Sequence, residues 1–181
     1  MVGSGKLLLV LGMHRSGTSA VSRAMKCFGA SFSDTPMPTQ PENPKGYFED
    51  QIVCNLNDRI FESNGQHWYQ FSDIEKWKWG LFIEAARTLV VEDRLKKFSL
   101  FALKDPRICP LLPLWTKALK GVDVKCVICI RHPIAVANSL SRRDGFPLSH
   151  ALELWLQYNL AIERARILKF IENVLSYKLG L

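Results

Sequence analysis

The sequence predicts an α/β protein in which helices cover both faces of a central parallel sheet, a three-layer α/β/α architecture. Three short apolar runs, at residues 7–11, 100–104 and 124–130, are rich in leucine, valine and isoleucine and predict buried strands. Segments with helical spacing of apolar residues separate these runs. Strands that alternate with helices are joined by crossovers, which makes the strands parallel within one sheet.

The first strand leads into a polar loop and then into a helix. Residues 18–28 predict this helix because their apolar side chains recur every three or four positions, and Gly29 follows as its C-terminal cap. Residues 33–46 are rich in proline, serine and asparagine and predict a loop. Apolar side chains on one face of residues 51–63 predict the next helix.

The second half continues the alternation. An aromatic stretch at residues 68–79 predicts a loop or the start of a helix. The same spacing argument predicts helices over residues 80–97, 111–120 and 134–142 and a long helix that begins at Ser149.

Length and composition indicate one globular domain over residues 1–181, with 48% hydrophobic and 23% charged residues. No apolar run approaches the roughly 20 residues that cross a bilayer, so we expect no transmembrane segment. The N-terminal region lacks the apolar core of a signal peptide. The chain has five cysteines, which we expect to be buried thiols in a reducing compartment, the cytoplasm. Cys126 and Cys129 should lie on opposite faces of a strand.

The formal net charge of +7 predicts an anionic partner. The basic residues are scattered and lack a motif that reads DNA or RNA, so we expect no nucleic-acid partner. A polyanionic cofactor accounts for part of the excess charge, and a solvated basic surface accounts for the rest.

The loop after the first strand has the layout of a phosphate-binding loop. Gly12 and Gly17 have the G-x-x-x-x-G spacing of a Walker A motif, but Thr18 stands where a nucleotide hydrolase or kinase needs lysine. The cation comes earlier, at Arg15. The backbone N–H groups of Ser16–Ser19 are the free donors of a helix start, and they favour an anion.

A plain strand-to-helix turn is the alternative interpretation of this loop, with glycine for tightness and Ser or Thr as caps. Capping a single helix does not require the arginine, the serines, the glycine and the threonine of residues 15–19 together, so the sequence favours an anion site.

A second candidate anion site follows the strand at residues 124–130. Arg131 stands at its carboxyl end, where open α/β sheets bind ligands. Pro133 suits the first turn of a helix, and Ser139 lies about two turns further on. The alternative is that Arg131 pairs with a surface carboxylate and that Ser139 is a small packing residue.

These two segments resemble the cofactor-binding motifs of bacterial-type sulfotransferases that use 3′-phosphoadenosine 5′-phosphosulfate (PAPS), a family with a P-loop NTPase-like fold. The first loop resembles the family's 5′-phosphosulfate loop, and Arg131 with Ser139 resembles its 3′-phosphate site. The resemblance implies that PAPS is the co-substrate and that no metal takes part. The implied cofactor-binding residues are His14, Arg15, Ser16, Gly17, Thr18, Ser19, Arg131 and Ser139.

Two further segments resemble the same family. Residues 103–107, Leu-Lys-Asp-Pro-Arg, resemble its K-x-P-R strand end, and residues 43–50, Asn-Pro-Lys-Gly-Tyr-Phe-Glu-Asp, resemble its substrate-side segment. The resemblance implies a transferase that moves a sulfuryl group to a hydroxyl or amine. The acceptor would be a small molecule or a carbohydrate.

Four residues are candidates for the chemistry. Arg15 would neutralise charge on the phosphosulfate, and Lys104 would stabilise the leaving phosphate. Glu49 is the first candidate for the general base, although an acid at a helix N-terminus is an equal interpretation. Asp105 is either a base or a turn residue before Pro106.

Other side chains in these segments have two interpretations each. The basic residues Arg107, Arg142 and Arg143 contact either anionic ligand groups or solvent. Trp68, Tyr69 and Phe71 either line an acceptor pocket or pack in the core.

The C-terminal part of the chain is short for the family. Sulfotransferases usually continue with another strand and a basic loop, whereas residues 170–181 read only as a weak apolar tail. We therefore expect a domain that lacks the family's C-terminal part. A P-loop kinase or hydrolase, which Thr18 disfavours, and a catalytically inactive nucleotide-binding module are the alternative functions.

Overall fold

The computed structural model describes residues 5–39, 46–167 and 174–178. Its strands are Lys6–Leu11 (β1), Leu100–Lys104 (β2), Val124–Ile130 (β3) and Val174–Lys178 (β4). They form one four-stranded sheet in the order β2-β1-β3-β4, and every pairing is parallel. The predicted α/β class and the predicted parallel sheet are confirmed.

Helices connect the strands as the alternation predicts, and their ends differ from the predicted ones by a few residues at most. They are Thr18–Cys27 (α1), Gln51–Ser63 (α2), Gly80–Arg87 (α3), Leu95–Lys97 (α4), Leu112–Ala118 (α5), Pro133–Asp144 (α6) and Leu148–Ile167 (α7). Short 3₁₀ turns at Ile74–Lys76 and Pro106–Ile108 complete the helical elements of the described residues. Of the predicted loop at residues 33–46, residues 40–45 lie outside the described part.

The helix predicted over residues 80–97 is not regular. Between α3 and α4 the backbone adopts a π-helix at Thr88–Arg94. Arg94, its last residue, is buried and forms an ion pair of 2.8 Å with the buried carboxylate of Asp50. The π-helix therefore ends at a residue that makes a tertiary contact. The spacing of apolar residues in the sequence cannot predict such a contact.

Both faces of the sheet are buried. Leu7, Leu9 and Leu11 of β1 belong to the larger core cluster, together with side chains from α2, α3, α5 and α7. Val10 of β1 belongs to a second cluster, which includes Val21 of α1. Because side chains alternate along a strand, each cluster covers one face of the sheet.

The expectation of a weak apolar tail after residue 170 is wrong for residues 174–178. This segment is β4, and it pairs with β3 from Cys126↔Val174 to Ile130↔Lys178. The added strand satisfies backbone groups along an edge of β3 that would otherwise lack partners. The rest of the predicted tail, at residues 170–173 and 179–181, lies outside the described residues.

Four of the five cysteines are buried, as expected, but Cys27 at the end of α1 is exposed. Cys126 packs in the larger cluster and Cys129 in the smaller one, which confirms that they face opposite sides of β3. No helix within the described residues combines the length and the apolar character that crossing a membrane requires.

Candidate functional site

A cleft of about 850 Å³ opens at the carboxyl ends of β1, β2 and β3. Arg15 follows β1, Lys104 ends β2, and Arg131 follows β3. Two acidic side chains, Glu49 and Asp144, also line the cleft. The cationic side chains that line it are Arg15, Lys104, Arg107, Arg131, Arg142 and Arg143. Cations therefore outnumber acids in the cleft, as an anionic ligand requires.

The loop after β1 begins at a glycine that has no room for a side chain. A Cβ atom on Gly12 would lie 2.6 Å from the carbonyl oxygen of Cys129 and 3.0 Å from the Thr18 methyl carbon. The Gly12 N–H group donates to the thiol sulfur of Cys109 at 3.2 Å. The first residue of the loop therefore packs directly against β3. This contact fixes the position of the backbone from which the later N–H groups of the loop point.

The loop then delivers free backbone donors to the cleft. Gly17 has a left-handed φ of 89° and forms the N-cap of α1. The expectation that Ser16 supplies a free N–H group is wrong, because this group donates to the Met13 carbonyl at 3.1 Å. Within the described residues, the N–H groups of Gly17, Thr18 and Ser19 make no hydrogen bond. Three donors at a helix start remain for an anion.

Arg15 and Arg131 line this cleft, and Ser139 contacts Arg15 without lining the cleft itself. The Arg15 Nε donates to the Ser139 hydroxyl at 2.8 Å, and the Arg131 Nη1 donates to the Arg15 carbonyl at 3.2 Å. Ser139 thus binds Arg15, whereas the family resemblance pairs it with Arg131. Arg15 has a left-handed φ of 67°, which is unusual for a residue other than glycine. Burial and the nearby Arg143 lower the pKa of Arg15.

The structure bears differently on the two alternative interpretations of the second segment. Arg131 forms no ion pair with a carboxylate among the described residues. Ser139 is buried, but its hydroxyl is the partner of Arg15. Arg131 therefore presents its charge to the cleft, whereas Ser139 holds the Arg15 side chain.

Glu49 and Lys104 form a buried ion pair. The Lys104 Nζ lies 2.5 Å from the Glu49 Oε1, and the two side chains are 3% and 6% exposed. Lys104 also donates to the Tyr47 carbonyl at 3.0 Å and to the Ser19 hydroxyl at 3.4 Å. Burial raises the pKa of Glu49, and the charge of Lys104 opposes that rise. Asp50 is the N-cap of α2, so Glu49 itself is not the capping acid.

Asp105 lies behind the cleft and not in its lining. It is fully buried, accepts from the Arg107 Nε at 3.0 Å and from the Asn57 amide at 2.8 Å, and caps the 3₁₀ turn that follows. Burial acts to raise the pKa of Asp105, but Arg107 and Asn57 hold it below its usual value. Of its two interpretations, this placement favours the turn residue, because a base has to reach the acceptor.

Three side chains of the kinds that bind metal ions lie close together at the base of the cleft. They are the Glu49 and Asp105 carboxylates and the Cys54 thiol, all within 4.8 Å of one another. Burial raises the pKa of Cys54, which keeps the thiol protonated, and its sulfur donates to the Glu49 Oε2 at 3.7 Å. The two carboxylates bind Lys104 and Arg107. These groups are therefore engaged with one another and are not arranged as free metal ligands.

His14 lies in the wall of the cleft. Its ring centroid is 4.4 Å from that of Trp68 and 6.0 Å from that of Tyr158. Its Nε2 is buried and has no hydrogen-bond partner in the described part of the chain. Burial lowers the pKa of His14 well below 6.5. Nearby positive charges lower it further; they belong to Arg143, Arg107, Lys104 and Arg15. The ring is therefore neutral at neutral pH.

This environment makes the stability of the protein sensitive to acid. Because the pKa of His14 is lower in the folded state than in the unfolded state, the unfolded state takes up a proton first as the pH falls below about 6.5. Stability then falls by up to about 1.4 kcal/mol per pH unit until the folded state also binds the proton. We expect His14→Phe to reduce the loss of unfolding free energy between pH 7.5 and pH 5.5. Parallel urea-unfolding data for both proteins would contradict this.

Some contacts around the cleft could not be predicted from the sequence. Asp58 binds the Arg107 Nη1 at 2.7 Å, and the Trp115 indole donates to Asn57 at 3.0 Å. Phe71 packs in the core, whereas Trp68 lines the cleft. Asn57 and Asp58 lie on α2, far in sequence from the groups they bind. Only the tertiary fold reveals that Asp58 binds Arg107 and that Asn57 binds Asp105. Residues 43–45 of the predicted substrate-side segment lie outside the described residues.

Comparison with known proteins adds little to this geometry. No protein-family model matches the chain, and no curated protein matches it significantly. An uncharacterized protein from Eubacterium ventriosum is 9% identical with a TM-score of 0.43, and the match covers 96% of this chain and 89% of that protein. TT1252 from Thermus thermophilus is 14% identical with a TM-score of 0.44, covering 97% and 90%. Similarities at this level carry no argument about function.

Proposed function

We propose that this chain is a sulfotransferase that moves a sulfuryl group from PAPS to a hydroxyl or amine acceptor. The observation that carries this proposal is the link between Arg15, Ser139 and Arg131, which joins the two predicted anion sites in one basic cleft. The proposal also includes the finer fold assignment, a P-loop NTPase-like three-layer arrangement, and a cytoplasmic location.

The residues of the cleft fit a doubly phosphorylated donor. Among the described residues, the N–H groups of Gly17–Ser19 have no partner and would bind the 5′-phosphosulfate. The buried Ser16 hydroxyl beside them likewise has no hydrogen-bond partner there. Because Gly12 has no side chain, the loop backbone can approach β3 closely. Arg131 is exposed and contacts the Arg15 carbonyl. Its guanidinium would hold the 3′-phosphate.

The proposed reaction is one displacement at sulfur. The acceptor oxygen or nitrogen forms a bond to sulfur while the bond from sulfur to the bridging phosphate oxygen breaks. Lys104 would neutralise the charge that develops on that oxygen, and Glu49 would take the proton that the acceptor loses. Burial raises the pKa of Glu49, which suits a base, and the ion pair with Lys104 places the two groups beside each other.

Calorimetric titration with 3′-phosphoadenosine 5′-phosphate, the desulfated donor, tests the proposal. We expect it to bind more tightly than adenosine 5′-phosphate. Arg15→Ala should weaken both ligands by roughly 10- to 100-fold, because one charged hydrogen bond contributes about 1.5–3 kcal/mol. Arg131→Ala should weaken only the ligand with the 3′-phosphate. Arg23→Ala removes an exposed arginine on α1 outside the cleft and serves as the matched control.

The titration and two activity assays, ATP hydrolysis and sulfuryl transfer from PAPS, separate the alternatives. Equal affinity for the two nucleotides would contradict the 3′-phosphate site. Hydrolysis of ATP that depends on Mg²⁺ would favour a P-loop hydrolase or kinase. Binding of the desulfated donor without sulfuryl transfer from PAPS to any acceptor would favour the inactive binding module.

A further inference from the structure

A second pair of cations lines the cleft besides those that the proposed function assigns to the donor. Arg142 and Arg143 lie in the last turn of α6. Arg143 is engaged, because its Nε lies 2.9 Å and its Nη2 lies 2.8 Å from the Asp144 carboxylate. Arg142 is exposed, and the described part of the chain gives it neither an ion pair nor a hydrogen bond. Its charge is therefore available to a ligand.

A rigid aromatic side chain stands beside Arg143. Trp68 lines the cleft and is half-buried. The hydroxyl of the fully buried Tyr158 donates to the Trp68 carbonyl at 2.9 Å, which fixes the backbone there. The His14 ring and the Arg143 guanidinium, whose carbon is 5.8 Å from the ring centroid, hold the indole itself. A ring that is already ordered loses little entropy when a ligand packs against it.

The remaining lining favours a polar acceptor over an apolar one. Among the described residues that line the cleft, Trp68 aside, only Met37 and Pro106 have side chains without a charge or a polar group. Pockets that bind apolar molecules enclose them mostly with hydrophobic and aromatic side chains. Trp68 and Tyr47 offer aromatic surface among charged and hydroxyl groups, which matches a polar ring that carries an acidic group.

We propose that the acceptor is an acidic carbohydrate, whose carboxylate or sulfate binds Arg142 while a sugar ring packs against Trp68. This inference rests on the proposed function, because it assigns Arg15, Lys104 and Arg131 to the donor. It extends that function by naming the class of acceptor and the side chains that select it.

Titrations of the protein saturated with 3′-phosphoadenosine 5′-phosphate test this inference. The acidic probes are a tetrasaccharide of alternating glucuronate and N-acetylglucosamine and a sulfated galactose tetrasaccharide. The neutral probes are the N-acetylglucosamine tetramer and 2-naphthol. We expect at least one acidic probe to bind more tightly than both neutral ones, and the stronger acidic probe identifies the acid group.

Two variants assign the binding to the cleft. Arg142→Ala should weaken the acidic probe at least tenfold and leave the affinity for 3′-phosphoadenosine 5′-phosphate within twofold. Arg59→Ala, at an exposed position on α2 outside the cleft, removes the same charge and should change neither affinity. Trp68→Phe, which keeps an aromatic ring, should weaken the acidic probe less than Trp68→Ala.

Three results would overturn the inference: no acidic probe binds, a neutral probe binds at least as tightly, or Arg142→Ala acts on the nucleotide instead. Failure of the proposed function is a separate result, because the wild-type protein would then not bind the nucleotide in the first titration.

Discussion

Replacing Arg94 by methionine is expected to lower the free energy of unfolding by about 3–5 kcal/mol, because it leaves a buried carboxylate without its cation. Arg94 is 2% exposed, and its Nε donates to the Asp50 carboxylate, which is inaccessible to solvent. The same guanidinium binds Asp34 at 2.9 Å and the Thr35 hydroxyl at 3.1 Å. Methionine fills a similar volume, so the loss of the charge dominates the effect.

Urea unfolding at neutral pH measures this loss. Arg94→Lys keeps the charge but not the planar group with several donors, and it should lose less. Adding Asp50→Asn to Arg94→Met should recover part of the stability, because it removes the unpaired charge and still caps α2. If the double variant is no more stable than Arg94→Met, the buried charge is not the cause.

Gly12→Ala is expected to disrupt both the fold and nucleotide binding. The new Cβ would lie 2.6 Å from the carbonyl oxygen of Cys129, which belongs to β3 and cannot move alone. The backbone φ of 151° adds conformational strain for any residue with a Cβ. Overpacking and strain each cost about 1–3 kcal/mol, and relief of the clash moves the loop that carries the free N–H groups.

Gly121→Ala is the matched control for this prediction. Gly121 has a φ of 85°, and a Cβ there would meet no atom within 4 Å, so the variant tests conformational strain without the clash. We expect thermal unfolding to show a clearly larger loss for Gly12→Ala, and calorimetry to show weaker binding of 3′-phosphoadenosine 5′-phosphate only for that variant. Equal losses in the two variants would contradict the close contact with β3.

The sequence predicts the regular elements well because their signals are local. The spans 51–63, 100–104 and 124–130 agree with α2, β2 and β3. Apolar periodicity and runs of apolar residues are visible within a single window of sequence. The π-helix ending at Arg94 and the strand β4 are absent from the prediction because both depend on partners elsewhere in the fold.

The site was predictable only in part. Sequence order and the strand-end rule place Arg15, Lys104 and Arg131 at one edge of the sheet, and the structure brings all three into the cleft. The bond from Arg15 to Ser139 and the burial of Asp105 depend on side-chain directions, which sequence spacing does not give. Asn57 orients Asp105 from 48 residues away, a distance at which no pattern connects them.

The order of the strands in the sheet also bears on how the chain is made by the ribosome. β1 lies between β2 and β3, and its first pairings join Lys6 to Leu100 and Leu7 to Val124. At about 5–20 residues per second, roughly 6–23 s pass between the synthesis of Leu7 and that of Val124. During that time the apolar strand β1 has no partner on one side, so this segment of the nascent chain is an aggregation hazard.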